Sequence, residues 1–205
     1  MAMRKIGVLT SGGDSPGMNA AVMSVARSAA LYGIPLIGIK RGYNGLLRKS
    51  ADIHDDLQEL NLDTVLDIAD LPGTYLRTAR CDEFRQLKYQ EFAVNTLREM
   101  EIDGLVVIGG DGSFNGARAL SRLGVPTIGI PGTIDNDLAY TEMTLGYDTA
   151  VNVCVDAVRK TFDRSVERGI GSVYRYQPTR LRCRRRHHRV LYPYFRRVLS
   201  ERLHV

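Results

Sequence analysis

Asp111 stands alone among glycines in the run Val106-Val107-Ile108-Gly109-Gly110-Asp111-Gly112-Ser113-Phe114-Asn115-Gly116. Three β-branched residues open it as a short apolar stretch of the kind a buried parallel strand needs. Glycines follow at once, and a helical pattern begins a few residues later. A strand running through glycines into a helix brings backbone N–H groups and a positive helix end to one point, which suits a phosphate. The Asp111 carboxylate would repel that phosphate unless a cation lay between them, and oxygen-ligated Mg²⁺ is the natural candidate. These residues predict a Mg–nucleotide turn.

Two more polar turns have the same character, Thr10-Ser11-Gly12-Gly13-Asp14-Ser15-Pro16-Gly17 and Pro131-Gly132-Thr133-Ile134-Asp135-Asn136-Asp137. Any one glycine turn can be mere geometry, since tight strand–helix connections use glycine anyway. Together on one sheet edge they point to a ligand. Neither common phosphate loop is present. Gly12 to Gly17 has the P-loop glycine spacing, but Met18 and Asn19 occupy the Lys and Ser/Thr positions. Gly110-x-Gly112-x-x-x-Gly116 misses the dinucleotide fingerprint by one residue and lacks its downstream acid, so NAD(P) is disfavoured.

The elements that must carry these turns follow from hydrophobic periodicity. Strands are predicted at 6–9, 36–39, 106–108 and 125–130. Helices are predicted at 18–32, ending at Gly33, and at 82–100, 115–123 and 149–162. In the first, Ala20, Ala21, Val25 and Ala29 would face a sheet; in the second, Phe84, Leu87, Val94 and Leu97 would share one side. Between 41 and 73, Leu57, Leu60, Val65, Leu66 and Ile68 suggest one or two short surface helices. Asp14 has a structural reading as cap of the first helix. Strands alternating with helices at this spacing give a three-layer α/β domain, a mostly parallel sheet with helices on both faces. All three polar turns then fall at strand C-terminal ends, where such sheets bind ligands.

Composition is that of a globular protein, with 44% hydrophobic and 25% charged residues. No apolar run is long enough to span a bilayer, and the charged start has no signal-peptide pattern, so no membrane partner is expected. Cys81, Cys154 and Cys183 are odd in number and widely spaced, which reads as reduced cytoplasmic thiols. The net charge of +5 hides a split, because residues 1–163 are acidic while all twelve basic residues of 164–205 are Arg. The expected organisation is a nucleotide-binding domain over 1–163 and an Arg-rich, unassigned tail over 164–205.

With these residues in view, the chain resembles the bacterial ATP-dependent 6-phosphofructokinase family. The matching strings are residues 6–19 (IGVLTSGGDSPGMN), 104–116 (GLVVIGGDGSFNG), 129–137 (GIPGTIDND) and 144–148 (TLGYD). The resemblance implies transfer of the ATP γ-phosphoryl group to the 1-hydroxyl of fructose 6-phosphate with Mg²⁺, in cytoplasmic glycolysis. It also implies a homotetramer regulated by ADP and phosphoenolpyruvate. Carried over residue by residue, Gly13 would approach the ATP phosphates, and Arg80 and Cys81 would lie on the nucleotide side. Gly110, Gly112 and Ser113 would cradle the nucleotide, and Asp111 would hold Mg²⁺. Thr133 and Asp135 would contact the sugar, with Asp135 as the base. The segment Met23, Ser24, Val25, Ala26 and Arg27 would meet an effector nucleotide between subunits.

Gly112 and Gly132 bear on the donor. Pyrophosphate-using relatives tend to carry Asp and Lys there, which would fill the α-phosphate region; glycine at both leaves room for ATP. For Asp135 an Asx-turn role is the simpler reading from residue type alone, and the TIDND string reverses it. Asp137 is read as loop support. The NAD kinase group shares a Gly-Gly-Asp-Gly turn but not that string.

After residue 163 the resemblance stops. No Met-Gly-Arg substrate motif follows, and the family's second, cleft-closing domain has no counterpart. An out-of-frame origin is the preferred explanation of a tail without Lys, tested by reading the gene in its other frames. Two alternatives accompany the kinase reading: an inactive Mg–ATP-binding fragment, and a basic tail that binds nucleic acid through arginines interleaved with Tyr174, Tyr176, Tyr192, Tyr194 and Phe195. Nucleic acid is not the favoured partner, because charge runs without a recognisable domain are more often solvated segments.

Overall fold

Short β-rich apolar runs separated by amphipathic stretches can bury both faces of a strand only inside a helix-covered sheet. The computed structural model, which describes residues 3–47 and 56–167, has that arrangement. Strands β1 (Ile6–Thr10), β2 (Leu36–Ile39), β3 (Leu57–Leu60), β4 (Gly104–Gly109), β5 (Thr127–Thr133) and β6 (Leu145–Gly146) lie in the order β3-β2-β1-β4-β5-β6. Neighbours run parallel except β2 and β3. β1 is central, with Leu9 opposite Ile39 of β2 on one side and Val107 of β4 on the other. The chain leaves β1 for one half of the sheet and later returns to the other, so the topological switch falls between β1 and β4. Ligands of open α/β sheets bind at such a crevice.

The helices are α1 (Met18–Leu31), α2 (Leu62–Leu66), α3 (Leu87–Glu99), α4 (Asp111–Arg122) and α5 (Tyr147–Glu167). Two apolar clusters sit on opposite faces of the sheet. Val8 and Ile108 pack with Met18, Ala21, Val22, Ala26 and Ala29 of α1 and Val65 of α2. Leu9 and Val107 pack with Val94 and Leu97 of α3 and Ala117 and Leu120 of α4. Val8, Leu9, Val107 and Ile108 are each fully buried, and removing a side chain of this size from water contributes roughly 1.5–3 kcal/mol. Successive strand residues thus serve opposite layers. The predicted three-layer α/β class holds.

Several boundaries differ from expectation. The helix predicted at 115–123 starts four residues earlier, so Asp111 lies inside the first turn of α4. The helix predicted at 82–100 is broken: a 3₁₀ turn at Glu83–Arg85 ends at Gln86, whose φ of −95° and ψ of 134° are extended, and α3 starts after it. Leu87 is 57% exposed and does not join the buried side. In α1 the buried face is built on Ala21, Val22, Ala26 and Ala29, leaving Ala20 and Val25 half-buried. Residues 57–60 form β3 rather than a helix. The strand predicted at 125–130 runs instead over Thr127–Thr133, through Pro131. The last helix is longer than predicted at both ends.

The chain divides into two units, 1–147 and 148–205. Of the second, the described part is helical as far as Glu167, with Val151 and Val155 buried. The readings given for the Arg-rich tail, out-of-frame origin and nucleic-acid binding, fall outside the described residues beyond 167. Among the described residues no helix is long and apolar enough to cross a membrane.

Candidate functional site

β1, β4 and β5 are adjacent and parallel, so the turns that follow them emerge side by side at one rim. The first two are sewn together. The Ser11 N–H donates to the Ile108 carbonyl at 3.0 Å, and the Ser113 hydroxyl donates to the Ser11 carbonyl at 3.0 Å. Gly109 allows this approach: a Cβ there would stand 2.5 Å from both the Ser11 carbonyl oxygen and the Ser113 hydroxyl. Gly110, extended at the start of α4, lies against Thr133, whose Cβ would be 3.5 Å from an added Cβ. The glycine turn therefore touches both neighbouring turns.

Asp111, Gly112 and Ser113 open α4, and the first intrahelical bond is Phe114 N–H to the Gly110 carbonyl at 3.1 Å. The preceding N–H groups have no intrahelical partner and stand at the positive end of the helix dipole. Around Gly112 and Gly13 there is open space, with no atom within 4 Å of an added Cβ. Asp111 is exposed, and among the described residues its carboxylate accepts only from Asn115, Nδ2 to Oδ2 at 3.2 Å. Ser113 is 4% exposed and its hydroxyl points inward, so it can offer a ligand its backbone N–H, not its side chain.

The residues present fit a Mg²⁺ ion held jointly with phosphate. Among the described residues no group of three or more His, Cys, Asp or Glu side chains could cage a metal. Mg²⁺ commonly keeps several waters and takes one or two carboxylates plus phosphate oxygens. One exposed carboxylate beside open glycine space answers that description.

Behind α4 sits a residue that sequence reading passed over. Tyr43, 4% exposed, donates its hydroxyl to the Ser113 carbonyl at 2.6 Å and stacks on Phe84 with ring centroids 4.2 Å apart. Burial pushes its ionisation well above the ordinary tyrosine range, so it remains a donor. Gly116 accommodates it; a Cβ there would meet the ring at 2.6 Å. Replacing Tyr43 by Phe leaves the stack but strips a buried acceptor of its partner. The expected loss is about 1–2 kcal/mol, read as a lowered thermal midpoint.

Residues 71–81 are strapped to the first glycine turn. Asn19, 3% exposed, uses both amide atoms, donating to the Leu71 carbonyl at 3.0 Å and accepting from Tyr75 N–H at 2.7 Å. Thr10 donates to the Arg77 carbonyl, and Gly12 N–H donates to the Ala79 carbonyl. Thr74 donates to Asp14, so Asp14 is not the cap of α1; that position is Gly17, with φ of 85°. Arg41 adds a further strap from the left-handed region (φ 62°), with its N–H on the Leu76 carbonyl and its guanidinium on Asp56, a hydrogen bond that raises its pKa. The result is to deliver Arg80 exposed and Cys81 half-buried beside the turn. Burial, with Glu83 adding to it, pushes the Cys81 thiol up, so it is a poor nucleophile.

In the third turn, Asp135 is exposed and its carboxylate has no partner among the described residues; its N–H donates to the Thr133 hydroxyl at 3.2 Å. Asp14, Asp111, Asp135 and Asp137 are all exposed on these turns, so a polyanion needs a cation to approach. Met23, Ser24, Val25, Ala26 and Arg27 are not brought to the rim. They lie along α1, with Ala26 buried against the sheet and Ser24 and Arg27 exposed. A groove of about 340 Å³ between α3 and α4, lined by Leu87, Gln90, Asn115, Arg118 and Arg122 among others, starts where Asn115 meets Asp111. Nothing in the hydrophobic pattern announced it.

The sequence model of the phosphofructokinase family, "Phosphofructokinase", matches residues 5–168. The chain is 53% identical over 171 residues to the ATP-dependent 6-phosphofructokinase of Alkaliphilus metalliredigens, covering 83% of this chain and 52% of that protein. Against the enzyme of the same description from Clostridium tetani the identity is 54%, with the same coverage. The chain thus spans about half the length of these relatives. Among solved structures, phosphofructokinase from Pichia pastoris in the T-state superposes with a TM-score of 0.71 at 34% identity, over 77% of this chain and 18% of that one. A pyrophosphate-dependent phosphofructokinase from Nitrosospira multiformis gives a TM-score of 0.67 at 22% identity, over 81% and 43%, which speaks for the fold alone. With a matched segment that contains all three rim turns, the chain belongs to the phosphofructokinase family.

Proposed function

We propose that the rim binds Mg–ATP and that the activity it serves is transfer of the γ-phosphoryl group to the 1-hydroxyl of fructose 6-phosphate, a cytoplasmic step of glycolysis. The observation that carries this reading is the placement of Asp111 in the first turn of α4, between open glycine space and Gly110, which abuts Thr133. Phosphoryl transfer depends on positioning and on neutralising charge. Mg²⁺, when bound at Asp111, supplies part of that neutralisation. The free N–H groups of the α4 turn and Gly13 would receive the phosphates, with Arg80 and Cys81 beside them. The nucleoside would follow the groove that starts at Asn115.

Asp135, whose carboxylate is unpartnered among the described residues, would take the hydroxyl proton while Thr133 meets the sugar. ATP rather than pyrophosphate fits the space around Gly112. The exposed face of α1 at Ser24 and Arg27 is the part available to an effector nucleotide in a homo-oligomer. Nucleotide protection of Cys81 from a thiol reagent is expected, and equal labelling rates with and without Mg–ATP would count against this placement.

A second reading, nucleotide binding without turnover, is favoured by one feature: residues 133–146 contain no Lys or Arg to meet the sugar phosphate. Calorimetry with Mg–ATP and a coupled ADP assay with fructose 6-phosphate decide. Binding with turnover supports the kinase; binding alone supports the second reading; neither refutes both.

A further inference from the structure

We propose that Asn136, acting through Thr144, is a positioning residue for the Asp135 carboxylate. Asn136 has φ of 48°, in the left-handed region that asparagine tolerates better than most residues. Its side chain is committed at both ends. Nδ2 donates to the Glu142 carbonyl at 3.2 Å, and Oδ1 accepts from Thr144 N–H at 2.9 Å. Thr144, 4% exposed, donates its hydroxyl back to the Thr133 carbonyl at 2.6 Å.

The returning segment is itself anchored. β6 pairs Leu145 with Gly132 and Gly146 with Thr133, and Ser15 of the first glycine turn, 1% exposed, donates to the Leu145 carbonyl at 2.7 Å. Gly146, with φ of 95°, has no space for a side chain against that hydroxyl. Residues 133–136 are therefore closed into a frame whose far side is fastened to the donor turn. Asp135 is the one residue of that frame with a polar side chain that has no hydrogen-bond partner among the described residues. The frame fixes where the carboxylate starts from; the carboxylate itself stays free to accept a proton.

Since the role of Asp135 comes from the kinase reading, this assignment rests on that reading, and its test separates the two. Three variants suffice. Asn136→Gly keeps the left-handed backbone accessible but removes the amide; Thr144→Val removes the hydroxyl at constant shape; Thr144→Ser restores it. A misplacement of about 1 Å can lower turnover about 100-fold. Asn136→Gly and Thr144→Val are therefore expected to lower kcat at least about tenfold at unchanged KM for Mg–ATP, and Thr144→Ser to recover most of it. If both affinities and the thermal midpoint fall together while kcat per folded molecule is unchanged, Asn136 is only structural and the proposal is wrong.

Amide exchange of ¹⁵N-labelled protein gives the readout that does not need turnover. Asn136→Gly is expected to speed exchange at Thr144 at least about tenfold, the loss of one hydrogen bond, and to shift the Asp135 amide resonance. Unchanged exchange and an unmoved Asp135 resonance overturn the proposal whether or not the wild-type chain turns over. A silent wild type that shows these changes refutes the kinase reading and keeps the frame.

Discussion

Under the proposed function, Asp135→Asn is expected to lower phosphoryl transfer to fructose 6-phosphate by roughly 10²–10⁴-fold, the range for removal of a general base. The change is isosteric, and no partner among the described residues depends on the carboxylate, so the thermal midpoint should stay put. Mg–ATP affinity should stay within about twofold, because the groups proposed to receive the phosphates lie on a different turn. Steady-state kinetics with calorimetry on the same preparation checks both halves. A variant that loses nucleotide affinity along with turnover would place Asp135 at the metal, not at the sugar.

The second large effect is electrostatic. Gly112→Asp adds a second carboxylate to the first turn of α4, in space that is otherwise open. A like charge about 5 Å from a phosphate, at an effective dielectric of about 20, costs about 3 kcal/mol, or roughly 100-fold in Mg–ATP affinity. The same substitution should leave the fold slightly more stable, since it replaces a helical glycine with an acid at the helix N-terminus. Opposite signs for affinity and stability mark a charge effect. A loss of both would mean that the turn itself had been distorted, and no loss of affinity would remove phosphate from this turn.

Strand positions were legible where burial on both faces demands apolar residues, as at β2 and β4. Other elements were hidden by competing signals. The start of α4 was missed because Gly110 and Gly112 argue against helix, whereas Asp111 is favoured there by the helix dipole. Leu57 and Leu60 are three apart, a helical spacing, yet they form an edge strand antiparallel to β2. Pro131 suggested a strand end. It is tolerated because β6 pairs only with Gly132 and Thr133, leaving one side of the strand free of ladder bonds at Pro131.

At the candidate site, residue types announced the three turns but not what holds them. Tyr43 and Asn19 act through hydrogen bonds to backbone carbonyls 70 and 52 residues away, and Asn136 and Thr144 through bonds to backbone groups 8 and 11 residues away. No local spacing encodes such partners. The glycine-rich strings offered one clue: a glycine that admits no Cβ, as at Gly109 or Gly116, implies a large or polar neighbour waiting opposite. That neighbour's name comes only from the fold.

A crystal of this chain grown with Mg²⁺ and a non-hydrolysable ATP analogue tests the account most directly. The expected density has the terminal phosphates against the Gly13 and Gly112 backbones and the ion bonded to an Asp111 oxygen. An analogue bound away from this rim, or an ion that leaves Asp111 untouched, would contradict it.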